Sequence, residues 1–254
     1  MKHIVKAGDT LIGIAKLYNT SVADLIKLNG IINPNSISIG QYINIPIQEI
    51  PKEVFNHLTK ENKSEKIDFF INYVEGKKLG RPLNALGKQS VNLIFDTCLE
   101  FNVTDLRMIS YILATTHWET GAYGQRFIYE PVPEQGKGRN KPYGVPHKKT
   151  GKVYYGRGFC QITWYDNYER FNKILNKLGY KVDLLNNPDL LLDPKLASVV
   201  LVIGMRDGKF TGADLDDYFT LEKTDWYNAR RIINGVDRAV PIKDIAMEFY
   251  YIIK

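Results

Sequence analysis

Hydrophobic positions along the chain follow two different rhythms. In the first 47 residues the pattern is short and quickly punctuated. Ile4 and Val5 read as a strand, and the chain turns at Gly8-Asp9. Leu11, Ile14, Ala15 and Tyr18 then fall on one helical stripe that Asp9 or Thr10 can cap. The grammar repeats with Ser21 as cap, Val22, Leu25 and Ile26 as stripe, and Asn29-Gly30 as stop. Ile37, Ile39, Ile43 and Ile45 alternate around Gly40 and end at Pro46, a strand pattern. The order strand, helix, helix, strand predicts a small βααβ unit over residues 1–47. Residues 48–66 carry four Lys and four Glu with few apolar positions and read as a polar linker.

From residue 67 to 254 the rhythm lengthens to that of helices. Val91, Ile94, Phe95, Cys98 and Leu99 form a stripe within 87–102, which makes Cys98 a core residue. Thr104 is placed to cap a helix over 104–119, with Leu106, Ile109, Ile112, Leu113 and Thr116 on its inner face. Residues 121–160 are rich in Gly, Pro and Tyr and predict loop with short strands. Asp193 and Pro194 open a helix that is apolar nearly all round, hence buried, with Gly208 as its stop. "TDWYNARRIING" and "VPIKDIAMEFYYII" read as two further amphipathic helices. The second unit is therefore mainly α.

Composition narrows the picture. The 254 residues are 44% hydrophobic and 24% charged, ordinary for globular domains. A net charge of +6 suits an acidic polymer as partner: nucleic acid, an anionic membrane or a cell-wall polymer. The charge reads as spread rather than blocked, so no nucleic-acid tail is expected. Two cysteines, Cys98 and Cys160, do not make a disulfide scaffold. No apolar run is long enough for a membrane span, and none resembles a signal peptide. His3, His57, His117 and His147 lack metal-ligand spacing, and no cofactor is expected.

Candidate chemistry lies in "THWETGAYGQRFIYEP". From Met108 to Pro133 the only charged residues are Glu119, Arg126 and Glu130. Glu119 falls at the end of a helix beside core positions, where burial and the helix C-terminus both disfavour a charged carboxylate. A glutamic acid that keeps its proton suits general acid catalysis. Glu130 follows in a loop that water can reach and can act as base, with Glu134 a competing candidate. Two carboxylates in unlike settings suit glycoside hydrolysis, although the spacing alone fits ordinary surface ion pairs equally well.

Two resemblances add to these readings. "V-x-x-GDTL-x-x-IA" at 5–15, "L-x-x-LNG" at 25–30 and "IGQ-x-I-x-IP" at 39–46 resemble a LysM module. That likeness implies binding of N-acetylglucosamine-containing glycans, in a groove between Gly8, Asp9, Thr10 and Leu11 and the loop Gly30, Ile31, Ile32 and Asn33. In turn, "HWETG" at 117–121, "YYGRGFCQIT" at 154–163 and "RIINGVDRA" at 231–239 resemble glycoside hydrolase family 19, the plant class I/II chitinases and their phage endolysin relatives. This second likeness covers roughly residues 87–250 and implies an α+β, lysozyme-like catalytic domain over 67–254 working with inversion. It implies Glu119 as general acid, Glu130 as base and Thr163 as a hydroxyl holding the attacking water. Gln161, Asn167, Tyr168 and Asn234 would meet the sugar, and Arg231 would support the carboxylates. Inversion expects the carboxylates roughly 6.5–9.5 Å apart.

Together these readings predict a monomeric phage or prophage endolysin acting on peptidoglycan glycan strands, with neither nucleic acid nor membrane as partner. It would wait in the host cytoplasm until a holin releases it. A chitinase, and a wall-binding protein without activity, are the alternatives. Gly156 and Gly158 lack a phosphate loop's Lys-Ser/Thr and read as a turn, and Cys160 reads as a buried thiol.

Overall fold

The computed structural model describes residues 2–18, 20–46, 57–121 and 128–254. Residues 48–56 of the expected linker, and 122–127 with Arg126, lie outside the described residues.

The N-terminal unit closes around one strand pair. β1 (Lys2–Ile4) runs antiparallel to β2 (Tyr42–Asn44), with His3 opposite Ile43. α1 (Leu11–Leu17) begins where Thr10 Oγ1 accepts the Gly13 N–H at 3.0 Å, so Thr10 is the cap. Asp9 braces the turn before it: Oδ2 accepts the Lys6 N–H and meets His3 Nε2, both at 2.8 Å. α2 (Val22–Asn29) is capped by Ser21 and ends at Gly30. The expected strand through Ile37 and Ile39 does not form. Gly40 turns the chain there, Ile39 is exposed, and only Tyr42–Asn44 pairs. Val5, Leu11, Ile14, Leu25, Ile43 and Ile45 make a core separate from the rest of the chain. Tyr251, from the far end of the sequence, packs against that core edge-on to Tyr18, ring centres 6.4 Å apart.

The second body begins earlier than its hydrophobic pattern suggests. The Leu58 N–H donates to Thr104 O at 2.7 Å, and Leu58 is buried in the main core. The boundary expected near residue 66 therefore moves back to about 57, because one buried leucine anchors an otherwise polar stretch. α3 (Lys63–Tyr73) widens into a π-helical turn over Val74–Leu79. α4 (Ala85–Glu100) starts at Asn84, whose Oδ1 accepts the Gly87 N–H at 2.8 Å. α5 (Leu106–Gly121) starts from Asp105 rather than Thr104. The Asp105 carboxylate takes the Arg107 N–H at 2.8 Å and that residue's guanidinium, while the Thr104 hydroxyl meets His57 Nδ1 at 3.1 Å.

α6 (Tyr165–Lys177), α7 (Pro194–Arg206, capped by Asp193) and α8 (Ala239–Ile253) complete the set. Residues 224–235 do not form the expected amphipathic helix. They make one 3-10 turn, Asn228–Ile232, because Asp225 takes both the N–H and the side-chain amide of Asn228 and Asn234-Gly235 follows at once.

α5 is the axis of this body. Its residues Ile109 to Thr116 are all buried, and it packs on α8, α4 and α7. Its hydroxyls tolerate burial by bonding one turn back: Ser110 Oγ to Leu106 O, Thr116 Oγ1 to Ile112 O and Thr120 Oγ1 to Thr116 O, at 2.7–2.9 Å. Each large apolar side chain buried around it contributes about 1.5–3 kcal/mol. A second, smaller core gathers Tyr154, Ile162, Tyr168, Phe171, Leu175 and Leu191. Phe101, Cys160 and Phe210 touch both cores and mark the seam between them.

His117 sits on α5 between the rings of Tyr129 and Phe249, centres 5.7 and 5.6 Å away. Burial, with Lys78 adding to it, pushes its imidazole down to about 4. The unfolded chain binds that proton near pH 6.5, the folded chain only near 4. Stability is therefore complete above about pH 6.5 and falls through the window down to 4, by about 3 kcal/mol from this group. A His117→Gln variant is expected to show a smaller drop in melting temperature between pH 7 and 4.5 than wild type. An unchanged drop would refute the assignment.

Candidate active site

α5 delivers Glu119 to the seam. The surrounding sequence is almost free of charge, but the surrounding space is not. Arg230, from the 3-10 turn 111 residues further on, donates through Nη1 to Glu119 Oε1 at 2.9 Å. The Arg230 side chain is 5% exposed and that of Glu119 23%. The guanidinium is fixed from behind, its Nε donating to Asp237 O at 3.0 Å. The expected low-charge setting of Glu119 thus does not hold in three dimensions. Arg231, the residue expected to support the carboxylates, points elsewhere: it is exposed, and its Nε donates to Asn228 Oδ1 at 3.3 Å. In the "ARRIING" turn, adjacent residues face opposite ways, and Arg230 has the inward position.

Cys160 brings the third motif to the same place. Burial pushes its thiol well above the usual range, and the negative charge of Glu119 adds to that, partly offset by Arg230. It is a free thiol packed against both cores, the larger of which also holds Trp118 next to Glu119 and Ala229 and Ile232 around Arg230, so "YYGRGFCQIT" meets the same region.

The loop after α5 is anchored by Tyr129. Its ring is buried, and its N–H donates to Thr120 Oγ1 at 2.9 Å. Glu130 follows, half-buried, and its Oε1 accepts from Asn84 Nδ2 at 2.7 Å. Asn84 therefore ties the start of α4 to Glu130. The sequence reading passed over Asn84, and nothing in the chain's pattern linked it to a carboxylate. Glu134 is held more tightly than its Gly- and Lys-rich surroundings suggest. Its N–H donates to Gly156 O at 2.7 Å, Oε1 accepts from the Tyr143 hydroxyl at 2.7 Å and Oε2 from the Gly156 N–H at 3.2 Å.

The 154–168 segment is organised by Arg157, which the sequence reading passed over. Buried at 3% exposure, it donates through Nε to Asp189 Oδ1 at 2.7 Å. Its Nη1 donates to Val153 O, Tyr155 O and the Tyr168 hydroxyl at 2.9–3.2 Å, and its guanidinium lies 3.5 Å over the Tyr155 ring. Tyr168, expected at the sugar, is wholly buried in the second core, its hydroxyl donating to Tyr155 O at 2.8 Å. Gln161 Nε2 donates to Val132 O at 2.9 Å and Gly158 O at 3.0 Å, joining this segment to the Glu134 loop. A Cβ on Gly156 would stand 2.8 Å from Gln161 Oε1, so a larger residue there would displace that amide. Thr163 Oγ1 donates to Gln161 O and Asn167 Nδ2 to Thr163 O, both at 2.8 Å. Asn234 is exposed, its Oδ1 accepting the Gly235 N–H.

In the N-terminal unit, Gly8, Asp9, Thr10 and Gly30 shape turns and caps as described. The side chain of Leu11 is 2% exposed and belongs to the core, and Ile31 packs partly on that core. Ile32 is fully exposed, and Asn33 Oδ1 accepts the Asn35 N–H at 3.0 Å. Residues 3–46 match the LysM domain as a family. The N-terminal unit is a LysM domain.

The likenesses to whole proteins are partial. A stretch of 45 residues is 56% identical to the endolysin of Bacillus phage PZA, covering 17% of each chain. Another, of 87 residues, is 33% identical to inactive chitinase-like protein 1 of Hevea brasiliensis, covering 33% of this chain and 26% of that protein. The matched stretches thus span about a quarter or less of these relatives' own length. Among solved structures, a mutant of chitinase C is similar at 19% identity and a TM-score of 0.45, over 75% of this chain and 91% of that one.

The Glu119–Arg230 pair joins α5 to the 3-10 turn. Removing Arg230 alone leaves a largely buried carboxylate uncompensated, at a cost of about 2–4 kcal/mol. Arg230→Met is expected to destabilise the protein by that amount in urea unfolding, and Glu119→Gln in the same chain to recover at least about 1 kcal/mol of it. Strict additivity of the two substitutions would show that the pair is not coupled.

Proposed function

We propose that this chain is a glycoside hydrolase of the endolysin type that cuts β-1,4-glycosidic bonds in bacterial peptidoglycan by an inverting acid–base route. The observation that carries this reading is the convergence, at the seam of two cores, of three motifs distant in sequence: Glu119 of "HWETG", Cys160 of "YYGRGFCQIT" and Arg230 of "ARRIING". The partial similarity to a phage endolysin supports the same reading, as does the LysM domain.

Arg230 fixes Oε1 of Glu119 and thereby its rotamer, leaving Oε2 free to take up a proton and deliver it to the glycosidic oxygen. Glu130, oriented by Asn84 through one oxygen, takes a proton from water on the opposite face of the sugar with the other. Thr163 spends its hydroxyl proton on Gln161 O, so its oxygen is left to accept from that water. Glu134 is committed to Tyr143 and Gly156 and shapes the groove. Gln161, Asn167 and Asn234 line the sugar's path. The LysM domain raises the local concentration of the catalytic body on glycan containing N-acetylglucosamine. The chain acts at the wall after a holin frees it from the host cytoplasm, as a monomer, with residues 67–254 and the stretch from 57 as the catalytic domain.

Chitin is the second reading, favoured by the similarity to a plant chitinase-like protein. Release of reducing ends from sacculi and from chitin oligomers separates the two. Glu119→Gln and Glu130→Gln are each expected to lower the rate about 10²–10⁴-fold, and Glu134→Gln to lower it far less. A Glu119→Gln chain that cleaves at the wild-type rate would overturn the acid assignment, and one that loses activity only on Glu134→Gln would move the base to that residue.

A further inference from the structure

The net charge of this protein is not spread along the chain. The sequence has 34 Lys and Arg against 28 Asp and Glu, and residues 135–152 contain six of the former and none of the latter. Without this 18-residue segment the chain is neutral. All six cations, Lys137, Arg139, Lys141, Lys148, Lys149 and Lys152, are exposed, and among the described residues none makes an ion pair. Lys149 lies near Glu169, which is itself paired with Lys173.

The segment surrounds a hollow of about 330 Å³ lined mainly by rings. Tyr143 and Trp164 meet edge to face at 5.3 Å, and His147 and Tyr165 stack at 3.9 Å. Lys149 Nζ lies 5.7 Å over the Tyr165 ring, which joins the charged rim to the aromatic wall. Trp164 is half-exposed and carries φ 71°, ψ 141°, a backbone conformation that costs a non-glycine residue about 1–3 kcal/mol. The chain tolerates that strain while leaving the indole in water. The hollow borders the candidate site: Trp164 follows Thr163 directly, and the Tyr143 hydroxyl is bonded to Glu134.

We propose that residues 135–152 and this hollow form a docking surface for the carboxylate-bearing glycan strand of peptidoglycan. The rings of Tyr143 and Trp164 take the apolar face of a sugar, and the cationic rim takes the free carboxylates of the stem peptides. A neutral polysaccharide such as chitin can use the rings but not the rim. The surface therefore sets the preference for peptidoglycan without touching the reacting bond. This rests on the hydrolase reading for its consequence in rate, but not for its consequence in binding.

The test uses the full chain carrying Glu119→Gln, co-sedimented with purified sacculi, with and without Lys148→Gln, Lys149→Gln and Lys152→Gln. The triple change is expected to weaken binding to native sacculi about tenfold at low salt. It should have little effect at 0.5 M salt, where charges are screened beyond roughly 4–5 Å. On sacculi whose carboxylates have been amidated, the two proteins should bind alike, the LysM domain supplying the common remainder. In the active chain, the same triple change should raise KM on sacculi and leave kcat on chitin oligomers unaltered. Equal binding of the two proteins to native sacculi would overturn the proposal. So would a difference that survives amidation but vanishes once phosphate polymers are stripped from the wall. An active chain that releases no reducing ends from any glycan would refute the hydrolase reading while leaving the binding result to stand or fall by itself.

Discussion

The second body depends on a helix that has nowhere to face but inward. α5 is surrounded by α4, α7 and α8, and its polar side chains are accommodated by bonds to its own backbone. Such a helix meets solvent only at its ends, and at its C-terminal end the unpaired carbonyls and Glu119 put negative charge in one place. Arg230 answers that charge from the opposite side of the seam. The pair is thus a structural fastening between α5 and the turn before α8. It also fixes one carboxylate oxygen of Glu119 and so the rotamer of that side chain.

A second clamp works on the other core. Arg157 gathers three carbonyl or hydroxyl oxygens and Asp189 around one guanidinium, and so shapes the bend that holds Gln161 and Thr163. Each core therefore contributes a buried arginine to this region, Arg230 on one side and Arg157 on the other, and Cys160 packs where the cores meet. On the proposed reading, substrate lies along this seam, with acid and base supplied by α5 and the loop that returns from it.

Much of this was legible in the sequence because it rests on local rules. The caps Ser21 and Asp193, the buried face of α4 and the buried α7 all follow from side-chain period and capping chemistry. What escaped depends on partners far apart in the chain. Arg230 and Arg231 are indistinguishable by pattern, and only the single-turn 3-10 geometry decides which one meets Glu119. Tyr168 shares a motif with exposed residues, but the period of α6 turns it into the core. Leu58 looked like linker because its burial comes from Thr104, 46 residues on. Even the net charge misled as a total, since its position mattered more than its size.

The most direct measurement is mass spectrometry of peptidoglycan digested by the purified chain. Glycosidic cleavage predicts disaccharide-bearing muropeptides with a new reducing sugar end and intact stem peptides. Free stem peptides or newly exposed amino groups, with the glycan strands left whole, would contradict it.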